Sequence, residues 1–430
     1  MPIDYSTPVH WFLALLPELV LSAGAMVVLL VDVFQRGDSR EPARPAVAWL
    51  TMSFIVAAAV ANWWLLGLED GAPASPVALD AFRVYTNFLF LAAAALFVPL
   101  SWGALAEEKM RHGEVYVLML LATVGMMFFA GMRDLMLIFL GLELLSVAVY
   151  VLTGLNRRDR RSAEAALKYF LLGAFSSAFF LFGVAMVYGG AGSVNLTVVR
   201  AAVGIDGVGA NLLLTTGMAF LAIGFGFKVS AVPFHMWTPD AYEGAPSPIA
   251  GFMAAAVKAA AFAAFLRVFL VGFAGMYETW GLITFWLAAA TMVVANLIAL
   301  AEDSVKRMLA YSSIAHTGYI MAGLAAFAAT DDTAVAAQGI ESVLFYLLGY
   351  AVMNIAAFAV VGMLQRDTNR YGGLSSFAGL ASRAPILAAS MALLMLSLTG
   401  IPPTVGFFAK LYVLLASVAA GLEWLAVIIV

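Results

Sequence analysis

The sequence of 430 residues has no cysteine, which excludes disulfides, thiolate metal sites and cysteine nucleophiles. Charge is scarce as well: Asp, Glu, Lys and Arg supply 11% of the chain, while 64% is hydrophobic. Water would not hold such a chain in solution, so a soluble globular protein is excluded. Lys and Arg total 22 against 26 Asp and Glu, leaving no basic surface on which nucleic acid would dock. The four histidines, His10, His112, His235 and His316, include no two at helical ligand spacing, so no histidine metal site is expected. There is no GxxxxGK[ST] loop, no strand followed by GxGxxG, and no haem or iron–sulfur ligand set. Energy must therefore reach the chain from a partner subunit or an ion gradient, each charge crossing being worth about 2.3 kcal/mol per 100 mV.

What the sequence has in abundance is long apolar runs. A bilayer core about 30 Å thick needs about 20 mostly apolar helical residues per crossing. Twelve such stretches are expected: Trp11 to Val33, Val47 to Leu68, Val84 to Leu105, Val115 to Met132, Leu135 to Leu155, Ala163 to Tyr188, Asn211 to Val232, Pro248 to Phe273, Trp280 to Ala301, Met308 to Ala329, Ser342 to Leu364 and Pro385 to Ala420. The last is interrupted by Ile401-Pro402-Pro403, and Leu422 to Val430 opens a thirteenth run, as though the chain continued. The segment before Trp11 carries Asp4 and no Lys or Arg, the wrong flank for a cleaved secretory signal, so the first helix is expected to stay.

Loops after odd-numbered crossings hold Arg36, Arg40, Arg44, Lys109, Arg111, Arg157, Arg158, Arg160, Arg161, Lys306, Arg307, Arg366, Arg370 and Arg383, whereas loops after even-numbered ones hold Arg83, Arg133 and Arg200. Cytoplasmic loops collect Lys and Arg, so fourteen against three predicts an inner-membrane protein with its N-terminus outside. The longest polar connections, Leu68 to Arg83, Gly189 to Asn211 and Arg366 to Ala384, are too short for an extramembrane domain. One membrane domain spanning 1–430 is the expectation.

Ionisable residues at membrane depth are expensive and need a partner, water or a task. Glu143 lies mid-helix in the fifth crossing; a proton-path carboxylate and a neutral carboxyl bonded to a neighbouring helix are both open. Lys258 follows Pro248 by ten residues, roughly 15 Å along a helix, among alanines that allow close packing, so its ammonium is expected inside the bundle. Lys228 and Lys410 each sit beside a proline break, Pro233 and Pro402-Pro403, and broken helices at membrane depth survive only beside protein or a water-filled cavity. A buried lysine loses proton affinity and a nearby carboxylate restores it, which makes a lysine such as Lys228 a switch. His316, eight residues into the tenth crossing, is read either as a proton relay or as a histidine bonded to a neighbour, and His235 as a lining residue. Glu18 is given no role, and Lys168, Arg267 and Lys306 are expected to snorkel or lie in loops. Two broken helices, each with a lysine close by, point to an internal-repeat transporter. Residues 1–114 then form three N-terminal helices, 115–275 a first five-helix repeat and 280–430 a second; five is odd, so the second copy is inverted.

FKVSAVPFHMWTPDAYEGAP from Phe227, VKRMLAYSSIAHTGY from Val305, FLGLELLS from Phe139 and GIPPTVGFFAKLYV from Gly400 resemble the antiporter-like membrane subunits of respiratory complex I and their Mrp-type antiporter relatives. LLPELVL at Leu15, a lysine rather than glutamate at Lys410, and the absence of a long C-terminal lateral helix resemble the N-type branch of that family. The resemblance implies an all-α polytopic fold of about 13–14 transmembrane helices. It also implies that Glu143 pairs with and tunes a lysine, Lys228 pumps, Lys258 connects, Lys410 stands on the exit side and His316 relays. No cofactor would bind this chain; NADH, FMN, iron–sulfur clusters and quinone would belong to other subunits of the complex. The implied partners are those membrane subunits, an M-type antiporter-like subunit among them, and lipid. Two other readings stand beside it: a cation/proton antiporter subunit, and a structural subunit that only holds its neighbours.

Overall fold

The computed structural model describes residues 2–34, 45–72, 74–107, 112–206, 211–364 and 373–430. Arg36, Arg40, Arg44, Lys109, Arg111, Arg366 and Arg370, half of the basic residues behind the charge asymmetry, lie outside the described residues. Helices α1 (Pro8–Ala14) and α2 (Leu16–Phe34) are followed by α3 (Pro45–Trp64), α4 (Ala81–Glu107), α5 (His112–Gly131), α6 (Leu135–Thr153), α7 (Arg160–Ala191), α8 (Leu196–Asp206), α9 (Leu212–Val229) and α10 (Trp237–Gly244). One long rod then runs from α11 (Ser247–Phe252) through a π-helical turn at Met253–Val257 into α12 (Lys258–Arg267) and a second π-helical turn at Val268–Gly272. Beyond it come α13 (Tyr277–Ala299), α14 (Val305–Ala328), α15 (Thr333–Leu364), α16 (Leu380–Arg383), α17 (Pro385–Thr399), α18 (Val405–Ala419) and α19 (Glu423–Ile429). The only strands among the described residues, Pro2–Ile3 and Glu69–Asp70, pair in parallel.

Ten helices among the described residues are long and apolar enough to cross a membrane. The expected crossing at Met308 to Ala329 forms α14, which falls short of that measure of apolarity because it carries Ser312, Ser313, His316, Thr317 and Tyr319. Most of α14 is buried, so its hydroxyls and imidazole meet protein and not lipid. The expected single run from Pro385 to Ala420 is two helices of 15 residues, α17 and α18, separated at the proline pair. The connection expected from Gly189 to Asn211 contains α8, which buries Leu196, Val199 and Val203 on one face.

Two compact units make up the chain. The first comprises Met1–Phe225 with Ala256–Gly275. Inside it α5 and α6 approach so closely that a Cβ on Gly125 would lie 2.5 Å from the Leu145 nitrogen, and one on Gly141 would lie 2.4 Å from the Phe129 nitrogen. Where α2 and α4 begin and α5 and α12 finish, three ion pairs lie together. Arg83 donates to Glu18 at 2.7 Å and to the carbonyls of Ala14 and Ala78, and both partners of the pair are almost wholly buried. Arg267 grips both oxygens of Asp80 and donates to the Ala130 carbonyl, while Arg133 bonds Asp70 and Ser75. Arg267 is therefore neither snorkelling nor in a loop, and Glu18 is one half of a buried ion pair. Burial pushes the Asp80 carboxyl up, but hydrogen bonds and charge from Arg267, the Arg83 backbone N–H and the charge of Arg133 outweigh it and hold it below the usual carboxylate range.

The second unit comprises Gly226–Ala255 with Met276–Val430. Here α14 lies between α13 and α15, and Gly323 and Gly339 bring α14 and α15 close enough that a Cβ on Gly339 would sit 2.9 Å from the Gly323 carbonyl oxygen. Lys306 is buried, donating to the carbonyls of Glu243 and Ala245, again neither snorkelling nor in a loop. Arg307 beside it binds Asp240, Glu243 and Glu302. In the first unit, Lys168 on α7 is exposed and pairs with Glu164 one turn away.

Candidate functional site

Pro233 ends the α-helical hydrogen bonding that would carry α9 onward, and the freed backbone groups are met one by one. The Val229 carbonyl accepts from the Thr317 hydroxyl at 2.6 Å, the Phe227 carbonyl from the Trp237 indole at 3.0 Å, and the Val232 N–H donates to Thr291 at 2.9 Å. Ser230, at φ 64° in the left-handed region, turns the chain, and its hydroxyl accepts from Thr238. Lys228 occupies the last turn of α9 immediately before this turn and is 4% exposed. A proline break walled by hydroxyls from α13 and α14 thus surrounds a buried lysine.

The second break uses a different cap. Gly400, at φ 93°, ends α17, and Lys410 of α18 donates from Nζ to the Thr399 carbonyl at 2.9 Å. Thr404 caps α18 by accepting from the Phe407 N–H. Gly406 allows α18 to lie against the end of α17, since a Cβ there would stand 1.8 Å from the Ser397 carbonyl oxygen. Half-buried, Lys410 also places its ammonium 4.6 Å from the centre of the Tyr319 ring.

Helix α14 is the element that these groups share. His316, 3% exposed, is bonded through Nδ1 to the Tyr346 hydroxyl at 2.5 Å, and its ring lies 4.9 Å from Tyr350 and 5.7 Å from Tyr319. Thr317 reaches the break beside Lys228, Tyr319 reaches Lys410, and Tyr311 faces His235 with ring centres 6.5 Å apart. Four of the six expected site residues, Lys228, His235, His316 and Lys410, are thereby gathered around α14 inside one unit.

The remaining two lie in the first unit. Glu143 is half-buried on α6, with its Oε1 enclosed and, among the described residues, no hydrogen-bond partner for that atom. Lys258 is 2% exposed and follows directly on a π-helical turn, as the ammonium expected inside the bundle. No group of three or more acidic or histidine side chains able to hold a metal is found among the described residues. Composition and motifs do not single out Tyr319, Tyr346 or Thr317, although the four-residue spacing of Tyr346 and Tyr350 already places both on one face of α15.

A family profile described as NADH:quinone oxidoreductase/Mrp antiporter, TM, matches residues 132–430. NADH-quinone oxidoreductase subunit N of Trichlorobacter lovleyi is 45% identical over 417 residues, covering 96% of this chain and 82% of that protein. Among solved structures, respiratory complex I from Thermus thermophilus with bound aureothin contains a chain 34% identical, at a TM-score of 0.77, covering 96% of this chain and 85% of that one. The Mrp complex from Dietzia shares the fold, at a TM-score of 0.81 and 24% identity, over 98% of this chain and 77% of that one. An all-helical membrane chain with two proline-broken helices, matched along nearly its whole length, belongs to the family of NADH:quinone oxidoreductase and Mrp antiporter membrane subunits.

Proposed function

We propose that this chain moves protons across the membrane as a subunit of a respiratory NADH:quinone oxidoreductase, with the redox chemistry carried out by other subunits. The observation that carries the reading is the gathering of Lys228, His316 and Lys410 around α14, at two helix breaks whose backbone groups are satisfied by protein. A break of this kind holds a charge at membrane depth without exposing backbone to lipid. Glu143 is assigned to tuning a lysine, Lys228 to taking up and releasing the proton, Lys258 to linking the halves of the path, His316 to relay, His235 to lining, and Lys410 to the exit side. Similarity to subunit N relatives, which bear the name of the whole oxidoreductase, supports this assignment.

The repeats are assigned to 115–275 and 280–430 after three N-terminal helices at 1–114. Their support is that each copy contains one proline-broken helix with a lysine close by, Lys228 near Pro233 and Lys410 near Pro402-Pro403. The distribution of basic residues supports an inner-membrane location with the N-terminus on the periplasmic side. NADH, FMN, iron–sulfur clusters and quinone are assigned to partner subunits, and the neighbours in the membrane to an M-type antiporter-like subunit, small membrane subunits and lipid.

The test is NADH-driven proton pumping in membranes carrying Lys228→Ala, measured with quinone reduction and with the amount of assembled complex. Loss of pumping and coupled turnover with assembly intact is the expected result. Parent-level pumping and turnover would remove Lys228 from the path and leave this chain a structural subunit.

A further inference from the structure

Two buried tyrosines of the second unit touch the proposed path without being assigned a part in it. Tyr346 of α15 is 1% exposed, and its hydroxyl meets Nδ1 of His316 at 2.5 Å. A hydroxyl buried away from water costs free energy unless it is bonded, and phenylalanine would fill the same space without that demand. Tyr319 of α14, one turn beyond His316, is also buried, but the contact it makes with the path is through its ring. That ring lies under the Lys410 ammonium at 4.6 Å, 5.7 Å from the imidazole of His316 and 6.5 Å from the ring of Tyr346, to which it is nearly parallel. The Tyr319 hydroxyl itself has a long contact of 3.5 Å with Asn296.

Backbone packing holds the register of these groups. Gly323 lies seven residues after His316 on α14 and Gly339 seven residues before Tyr346 on α15, opposite directions that suit an antiparallel pair. Seven residues are about two helical turns, so the place where α14 and α15 come too close for a Cβ stands two turns from the histidine–tyrosine bond. The helices cannot slide past one another there without a clash.

The two tyrosines then act by different chemistry. A hydroxyl both donates and accepts, so Tyr346 can donate to a bare Nδ1 and accept from a protonated one. The imidazole keeps its orientation whether His316 has gained or lost a proton. A backbone carbonyl in the same place could only accept and would hold the proton on Nδ1, and a carboxylate would favour the imidazolium. The Tyr319 ring instead presents a negative face, which attracts the ammonium of Lys410 and offers nothing comparable to the neutral amine.

We propose that Tyr346 and Tyr319 are the positioning residues of the His316–Lys410 segment of the path, the Tyr346 hydroxyl orienting the imidazole in either protonation state and the Tyr319 ring seating the protonated lysine. The assignment rests on the reading of this chain as a proton-translocating subunit, and it adds two residues which that reading does not contain. It requires a hydroxyl at 346 and an aromatic ring at 319.

The test uses the whole complex in native membranes carrying Tyr346→Phe, Tyr319→Phe or Tyr319→Leu, with NADH-driven pumping and quinone reduction scored per assembled complex in H2O and D2O. Tyr346→Phe is expected to lower coupled turnover on the order of tenfold and to raise the solvent isotope effect, because a loosely held imidazole slows the proton step itself. Tyr319→Phe keeps the ring and should stay within about twofold of the parent, whereas Tyr319→Leu should lose several-fold, within the roughly twofold to thirtyfold that a ring face contributes to a cation. A packing role alone would lower the amount of assembled complex and leave the isotope effect unchanged. Parent-level turnover with an unchanged isotope effect in Tyr346→Phe would overturn the proposal, as would equal losses in Tyr319→Phe and Tyr319→Leu. Both phenylalanine variants keep the buried ring, so if Tyr319→Leu assembles poorly the contrast between those two decides, and equal losses in them overturn the proposal. If Lys228→Ala abolishes pumping in the same membranes, any such failure belongs to the positioning roles alone; if Lys228→Ala also pumps at the parent rate, the underlying reading falls with them.

Discussion

Replacing Arg83 by Met isolates what a buried ion pair contributes to this bundle. Arg83 has no exposed surface, and its guanidinium serves Glu18 at 2.7 Å, the Ala14 carbonyl at 2.9 Å and the Ala78 carbonyl at 3.2 Å. Met fills much of the stem's volume but leaves the Glu18 carboxylate without its cation, and breaking a buried pair on one side costs about 3 to 5 kcal/mol. Each carbonyl left without a donor adds about 1 to 3 kcal/mol where water does not reach it. Replacing both partners, Arg83→Met with Glu18→Leu, removes the uncompensated charge and with it that penalty, while the cost of the two carbonyls remains. The expected pattern is a strongly non-additive cycle: Arg83→Met lowers the thermal midpoint and the yield of assembled complex, and Glu18→Leu in the same chain restores much of both. The assay is thermal denaturation of the purified complex in detergent for the parent, each single variant and the double. Because Arg83 lies outside the proposed proton path, pumping per assembled complex should stay at the parent level throughout. Additive losses in the double variant, or a single variant indistinguishable from the parent, would refute the argument that the pair is held as a unit.

Gly406→Ala places a Cβ 1.8 Å from a backbone oxygen that cannot rotate away, a clash beyond the usual 1 to 3 kcal/mol or so of overpacking, so membranes should contain little assembled complex; a parent-level yield by native gel would show that the break between α17 and α18 relaxes easily. Asp80, held below the usual carboxylate range, contributes stability that is present above its unfolded value near 3.9 and is lost as pH falls through the depressed folded value. Thermal midpoints should therefore owe no slope to Asp80 between about pH 5 and 8 and fall at lower pH, and Asp80→Asn should lower the midpoint at neutral pH while flattening the acid limb; an unchanged acid limb would place the sensitivity elsewhere.

The apolar runs reveal the crossings because lipid selects for length and composition, and Pro233 and the Pro402-Pro403 pair reveal the breaks because each proline removes a backbone donor. What the runs hide is anything that depends on a distant partner. Arg267 looks like a helix-end cation until Asp80, 187 positions away in the chain, closes on it, and Lys306 until the carbonyls of Glu243 and Ala245 do the same. The ends of α7 and α15 escape notice because each helix continues into polar residues such as Arg160, Glu164 and Gln338, where apolarity stops but hydrogen bonding does not. Helix α8 is a different omission: its buried stripe at Leu196, Val199 and Val203 is present in the sequence but too short to count as a crossing. At the candidate site, Lys228, Lys258 and Lys410 are legible because charge is rare in this chain, whereas Tyr346 and Tyr350 are not, because buried tyrosine is ordinary until a histidine is found against it.

The choice of cation follows position. Arg83, Arg133, Arg267 and Arg307 stand at helix ends, each tied to a carboxylate, and arginine keeps its proton under any condition a cell provides. The lysines and histidine of the proposed path are side chains that exchange protons, and a fixed charge would serve badly there. Lys410→Arg separates the two requirements, because Lys410 is half-buried and its structural duty is one hydrogen bond to the Thr399 carbonyl, which a guanidinium can also make. The cap and the positive charge remain while the exchangeable proton is lost. The complex should assemble at the parent level while NADH-driven pumping falls. Lys410→Met should lower pumping too, but with a further loss of assembly from the uncapped carbonyl. If Lys410→Arg pumps at the parent rate, charge alone is enough at this position and Lys410 does not carry the proton.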